Sequence, residues 1–239
     1  MQSWKWRTYK QSSDAEAKLI SMDPSNTLLA RAPRYRMPSW MIRDSILKST
    51  GMLTERVGGP PVFPFQPAGA WADSTMGRFE YKVSPGKDAY RRSLYTFWRR
   101  SVGPTNMFDS SKRRNCSVRM VRTNTPLQAL NLMNDSAYVE AAGHLAHGSI
   151  SHEKDLKGRL YWMSIKVLSR PLSEEELKLL EEQYEDNKKY FTVNTEDAKD
   201  LISIGQFQIF SNVTKPAEAA ALQCVAQTIL NLDEAMTRE

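Results

Sequence analysis

The stretch TPLQALNLMNDSAYVEAAGHLAHGSISH, residues 125–152, decides the fold class. Thr125 followed by Pro126 is a typical helix start, because the hydroxyl caps the first turn and proline fits the first helical position. Asn134 or Asp135 caps a second helix in the same way. Apolar residues follow both starts at helical spacing: Leu127, Leu130, Met133, Tyr138, Ala141, Ala142 and Leu145. This pattern predicts two consecutive helices.

The rest of the second half repeats these helix signals. A third helix is predicted by its apolar residues: Leu156, Leu160, Met163, Ile165, Val167 and Leu168. Ser173 and Glu176 form a capping box at the start of a fourth helix. A fifth helix follows Asn194 or Thr195, and Pro216 opens a last one. The sequence therefore predicts a mainly α fold, in which a C-terminal helical array packs on a loop-rich aromatic and basic layer with a few short β-strands.

The charges divide the chain into two halves. In all, 33 lysines and arginines oppose 27 aspartates and glutamates. Residues 1–125 hold 22 of the basic and nine of the acidic residues, a net +13, whereas residues 126–239 hold 11 and 18, a net −7. We expect a single domain, 1–239, in which a basic, aromatic, loop-rich half (1–125) is attracted to an acidic helical half (126–239).

Helix signals in the first half are few. Ser13 and Glu16 fit a capping box and predict a short helix, and Asp23 before a proline predicts a further helical start. Pro38 opens a stronger helix, which Gly51 ends in the left-handed conformation that glycine adopts easily.

The remaining part of the first half is irregular. Residues 54–77 lack periodicity and predict extended, proline-rich chain with turns. Apolar and charged residues alternate over 78–83, which predicts a half-buried strand. Residues 93–98 and 116–121 are rich in aromatic or β-branched residues and are compatible with strand or helix. This half is therefore expected to form an ordered, irregular layer.

Other classes of protein are excluded by composition. No apolar run approaches eighteen residues, so no transmembrane segment is expected. The N-terminus has no apolar core of a signal peptide, so none is expected in the chain as given. We predict that Cys116 and Cys224 are two ordinary buried thiols. The sequence does not decide between free thiols and a disulfide.

Candidates for chemistry come from three groups of residues. Glu140, His144 and His147 share one helix face at the spacing of metal ligands. This face lies opposite the apolar stripe of the helix and is expected to face solvent. We therefore predict no metal site and no cofactor. Asp44 and Asp109, with Arg43, are the candidates for an acid–base pair. No G-x-S-x-G motif or phosphate-binding glycine loop is present.

A third group combines basic and aromatic residues. The segment YRRSLYTFWRR, residues 90–100, suits either nucleic-acid binding or a layer held by arginine–aromatic contacts. A carbohydrate site would use the same rings as platforms and nearby polar groups as partners. The candidate ligand-binding residues are Gln66, Trp71, Arg91, Arg92, Tyr95, Trp98, Asp109 and Asn124.

Blocks of sequence along nearly the whole chain resemble one family. These blocks are DPSNTLLAR (23–31), IRD (42–44), GGP (58–60), QP (66–67), the segment 90–100, MFD (107–109), TNTPLQAL (123–130), ND (134–135), NLDE (231–234) and RE (238–239). They are similar to the planctomycete PSD-one family, a domain of unknown function found C-terminally in large planctomycete proteins that often also carry a cytochrome-c-like domain. Trp40 stands where that family typically has an acidic residue, and the chain resembles an N-terminally truncated member.

The resemblance implies a setting but no reaction. Relatives are expected to be exported or on the cell surface, with a suspected link to polysaccharide breakdown. We therefore expect an accessory or ligand-binding domain whose partner is a glycan or a sister domain. The alternatives are a hydrolase-type or redox-associated enzyme domain and, third, a nucleic-acid-binding domain.

Overall fold

The computed structural model describes residues 12–66, 69, 71, 79–99, 103–104, 106–110, 116, 118, 122–207, 209–210 and 215–238. Within these residues the protein is mainly helical, as the sequence predicts. The helices are α1 (Ala17–Met22), α2 (Ser39–Ser49), α3 (Pro126–Asn134), α4 (Ser136–His152), α5 (Leu156–Leu168), α6 (Glu174–Val193), α7 (Thr195–Ser203), α8 (Pro216–Leu230) and α9 (Asp233–Met236). The strands β1 (Tyr35–Arg36) and β2 (Thr237–Arg238) form one antiparallel pair.

Helix α8 lies at the centre of the helical array. It packs against α4, α6 and α7. Four of its nine buried residues are alanines: Ala219, Ala220, Ala221, Leu222, Gln223, Val225, Ala226, Ile229 and Leu230. Alanine has no side chain beyond Cβ, so neighbouring helices approach α8 closely. The buried Gln223 amide donates to the Val139 carbonyl oxygen at 3.1 Å and joins α8 to α4.

The predicted helix starts of the second half are confirmed. Thr125 and Gln128 form a capping box on α3, and the Asp135 carboxylate accepts the Ala137 N–H at the start of α4. Ser173 and Glu176 form the capping box of α6. Satisfying the first free N–H groups in this way typically contributes about 1 kcal/mol per helix.

The first half docks on this array through α2. Pro38 precedes the helix, Gly51 follows it at φ +78°, and the buried side includes Ile42, Ile46 and Leu47. Strand β1 leads into α2 and pairs with β2 from the far end of the chain. The segment that leads into α2 therefore meets the C-terminal strand beside the start of this helix.

An aromatic cluster supports the irregular layer. Trp71 is 3% exposed and lies 4.9 Å from Tyr81 and 5.6 Å from Phe97, measured between ring centroids. Phe63 packs tilted against Phe97 at 4.6 Å, and Phe79 stacks on Phe97 at 5.6 Å. The residues of the predicted strand thus contribute rings to a small core.

Four local predictions are wrong. Residues 79–83 form no strand, although their alternation is real because it reflects the rings buried in the cluster. Asp23 starts no helix, because its carboxylate accepts the N–H groups of Thr27 and Leu28 and closes a loop instead. The predicted capping box before α1 does not form. Cys116 is exposed rather than buried, and it and Cys224 are free thiols.

Some predictions fall outside the described residues. The predictions for Arg78, most of 67–77 and most of 116–121 belong to this group. The division into a basic and an acidic half stays a prediction.

Candidate functional site

A groove crosses the exposed side of α2 at Trp40. The indole is 45% exposed and lines two cavities, one of about 740 Å³ and one of about 470 Å³. The larger cavity is lined by Arg36, Met37, Pro38, Ser39, Trp40, Phe108, Asp109, Val118, Arg122 and Thr123. The smaller is lined by Trp40, Met41, Asp44, Ser45, Lys48, Ser49, Leu53, Glu55, Arg92, Lys166 and Val167. We call the two cavities together the Trp40 groove.

The start of α2 fixes the position of Trp40. Ser39 is buried, and its hydroxyl donates to the Phe108 carbonyl oxygen at 2.6 Å. Ile42 and Arg43 face the interior in the same turn. Since these residues anchor the buried side of the helix, the indole of Trp40 lies on the solvent side.

Asp109 fixes the wall of the larger cavity. Its backbone is in the left-handed region, at φ +54°. Its carboxylate accepts the Thr123 N–H at 2.6 Å, the Thr123 hydroxyl at 2.8 Å and the Gln128 amide at 3.2 Å. These bonds tie the loop around Asp109 to the start of α3, so the carboxylate holds the wall in place.

Two arginines line the same cavity without a carboxylate partner. Among the described residues, no Asp or Glu oxygen lies within 4.0 Å of Arg36 or Arg122. The Arg36 Nη2 contacts the sulfur of Met236 at 3.7 Å, and its Nε is buried with no hydrogen-bond partner. The Arg122 guanidinium lies over the Tyr35 ring at 4.4 Å. The larger cavity therefore has a surplus of positive charge.

Charges on the other side of Trp40 are partly paired. The Asp44 carboxylate accepts the N–H and the hydroxyl of Ser93 at 2.8 and 2.7 Å. Glu55 lies 2.7 Å from the Lys48 ammonium and 3.7 Å from the Arg92 guanidinium, which holds the pKa of this carboxyl below its usual value. These groups present donors and acceptors along an open wall.

Comparison with known proteins gives the family. The model of PSD1, a protein of unknown function (DUF1553), matches residues 5–184, which is more than half of the chain. The chain belongs to the PSD1 family. No curated protein and no solved structure is significantly similar to this PSD1 chain. In the segments that the structure describes, no helix is both long and apolar enough to cross a bilayer.

Two predicted site residues of this PSD1 chain are buried arginines. Arg43 donates to the carbonyl oxygens of Arg91 and Ala89 at 2.8 and 3.0 Å, and burial lowers its pKa. Arg91 is fully buried, and its guanidinium donates to three carbonyl oxygens of the loop 56–60. Both side chains hold backbone segments together and are not accessible to a ligand.

The predicted aromatic platforms do not form one surface. Trp71 and Gln66 are buried, at 3% and 6% exposure. Tyr95 is half-buried under the Arg91 guanidinium, and its hydroxyl accepts the Gly58 N–H at 2.8 Å. Trp98 is half-buried, and a Cβ on Gly103 would lie 2.6 Å from its ring. Asn124 is exposed but lines neither cavity of the groove.

Glu140 is buried rather than turned to solvent, so the expected outward face is wrong at this position. Its carboxylate accepts the Tyr90 hydroxyl and the N–H groups of Gln206 and Phe207, and burial raises its pKa. His144 packs edge-on against Phe207, and burial lowers its pKa to about 4. No three His, Cys, Asp or Glu side chains among the described residues lie close enough to hold a metal ion.

The groove therefore keeps three predicted residues and adds three others. Asp44, Asp109 and Arg92 all line it. Trp40 was predictable only as an apolar position of α2. Arg36 and Arg122 are distant in sequence, and no spacing rule connects them.

Proposed function

We propose that this chain is an accessory, ligand-binding domain that holds a glycan in the Trp40 groove. The observation that carries the proposal is the half-exposed indole between two cavities lined by hydrogen-bonding side chains. Ligand sites typically combine an apolar contact face with a few polar groups that fix orientation. A sugar ring has this complementary character, because its C–H face is apolar and its edge carries hydroxyls.

The walls of the groove supply partners for such hydroxyls. Arg36 and Arg122 line the larger cavity, while Ser45, Lys48 and Arg92 line the smaller one. Hydroxyls that bond to these groups exchange water for protein partners, at a net gain of about 0.5–1.5 kcal/mol each. The indole would supply the larger contribution, because a tryptophan in a contact centre often dominates binding.

The two predicted acid–base carboxylates fit this proposal better than a hydrolytic one. Asp44 and Asp109 line different cavities, on opposite sides of Trp40. Each already accepts two or more hydrogen bonds from neighbouring protein groups. The exported setting that the family resemblance implies would bring an accessory domain into contact with polysaccharide, in a planctomycete protein that also carries other domains.

Binding to a panel of polysaccharides tests the proposal. Trp40→Ala should weaken glycan binding at least tenfold, about 1.4 kcal/mol, in affinity gel electrophoresis. Tyr190→Ala is the matched control, because it removes an exposed ring on α6 outside the groove. Thermal melts of both variants check folding. Unchanged binding by a folded Trp40→Ala variant would remove the proposed site.

A further inference from the structure

We infer that the glycan in the Trp40 groove is acidic and carries carboxylate or sulfate groups. This inference rests on the proposed function and names its ligand class. Among the residues that the structure describes, five cationic side chains line the groove, namely Arg36, Lys48, Arg92, Arg122 and Lys166. Three carboxylates oppose them, those of Asp44, Glu55 and Asp109. A groove with more cations than carboxylates favours an anionic ligand.

The carboxylates of the groove are engaged elsewhere. Asp44 bonds to Ser93, and Asp109 bonds to Thr123 and Gln128. Glu55 pairs with two of the cations of the smaller cavity. Arg36, Arg122 and Lys166 are therefore the cations of the groove for which the described residues provide no carboxylate partner.

Arg36 and Arg122 are suited to an oxyanion. A guanidinium presents a planar fork of N–H donors that matches the two oxygens of a carboxylate or sulfate. Stacking on Tyr35 restrains Arg122, which reduces the entropy lost on binding. Arg36 is half-buried, and its Nη2 contacts the sulfur of Met236, a weak acceptor that an oxyanion would replace. Both side chains line the wall of the larger cavity, beside the indole that would hold a sugar ring.

The groove favours an acidic polysaccharide over a nucleic acid. Single-stranded nucleic acids stack successive bases on several rings along a basic channel. Among the described residues, Trp40 is the aromatic ring that both cavities share and Phe108 lines the larger one, while Arg91, a candidate for nucleic-acid contacts, is buried. A ring shared by two cavities, with cations on either side, instead suits one sugar residue whose neighbours carry charge.

The test uses the full chain and four polymers of different charge. Dextran is neutral, dextran sulfate carries sulfate, polygalacturonate carries carboxylate, and oligo(dT) is a nucleic acid. We expect one or both acidic polysaccharides to bind at least tenfold more tightly than dextran at low salt. The two acidic arms distinguish sulfate from carboxylate, and either one supports the inference. The affinity should fall with added salt, because bound counterions are released.

Charge variants locate the site. Arg36→Gln with Arg122→Gln should weaken binding of the acidic polymer at least tenfold and flatten its salt dependence. Lys178→Gln with Lys199→Gln removes the same net charge from exposed positions on α6 and α7 and should leave the affinity within about twofold. Arg36 lies in β1, so the double variant also changes a residue of the strand pair. Arg122→Gln alone is therefore a second variant, which changes only an exposed side chain.

Failure of the inference and failure of the proposed function give different results. If dextran and the acidic polymers bind equally well, and Trp40→Ala abolishes this binding, the inference of an acidic ligand is overturned. The proposed glycan site would then stand. Arginine variants that fold and bind acidic polymers normally would also overturn it. Tighter, arginine-dependent binding of oligo(dT) would assign the groove to nucleic acid. No binding of any polymer would overturn both proposals.

Discussion

Replacing Arg91 by methionine separates a supporting role from a ligand-binding role. The side chain is fully buried, and the loop 56–60 wraps around its guanidinium. Methionine keeps much of the apolar stem and removes every donor. We expect the loop to detach from the segment that contains Arg91 and the free energy of unfolding to fall.

The magnitude follows from the contacts. Arg91 donates to the carbonyl oxygens of Arg56, Gly58 and Pro60, and each bond to a charged group contributes about 1.5–3 kcal/mol. Stacking on Tyr95 at 3.9 Å adds about 0.5–2 kcal/mol. Two effects offset part of this loss. The loop is exposed, so its carbonyl oxygens bond to water in the variant, and folding no longer has to desolvate the charged guanidinium of Arg91. We expect a net loss of about 2–4 kcal/mol, less than the separate contacts suggest.

Urea denaturation and thermal melts measure this loss. For a chain of this size, about 2–4 kcal/mol lowers the melting temperature by roughly 5–15 °C. Arg92→Met is the matched control, because Arg92 is the exposed neighbour and should change stability by no more than about 0.5 kcal/mol. Trypsin should also cleave after Arg56 faster in Arg91→Met. Equal stability of Arg91→Met and Arg92→Met would refute the reasoning.

Three further predictions concern the two thiols, a histidine and a glycine. Ellman's reagent should react quickly with exposed Cys116 and slowly with Cys224, whose pKa burial raises to about 11; equal rates in the native protein would contradict this. Burial lowers the pKa of His144 to about 4, whereas a histidine in the unfolded chain has a pKa of about 6.5. As the pH falls from about 6.5 to 4, the unfolded state therefore binds this proton while the folded state does not, and the melting temperature falls. His144→Leu should make this fall smaller. Gly205→Ala should cost about 2–4 kcal/mol in urea denaturation, since Gly205 has φ +115° and a Cβ would overlap the Glu140 side chain; a neutral effect would show that the loop shifts freely.

Local sequence signals predict the helices well and the irregular layer poorly. Thr125 and Ser173 mark helix starts because a cap and its partner lie within four residues of each other. The same rule fails at Asp23, where the carboxylate bonds to N–H groups of a loop rather than of a helix. Alternation over 78–83 correctly indicates a half-buried segment, but period alone does not say whether the buried rings pack in a sheet or in a cluster.

The site is less predictable because it depends on tertiary contacts. Glu140 shares a helix face with two histidines, and its burial comes from Tyr90 and the loop at Gln206, which no helical pattern reveals. Arg36 and Arg122 become neighbours in one cavity only after β1 and the start of α3 are placed. Residue type indicated an arginine-rich layer, but burial decides which arginines support the fold and which can meet a ligand.

The groove also depends on residues beyond the family match. The match ends at residue 184, before α8, although α8 fills the space between α4 and α6. Beyond α8, β2 pairs with β1, and the Met37 N–H donates to the Met236 carbonyl oxygen at 2.9 Å. These bonds position Arg36 at the edge of the larger cavity. A fragment limited to the matched segment would lose both the centre of the helical core and the support of this cation, so the unit that carries the proposed function extends to the C-terminal strand.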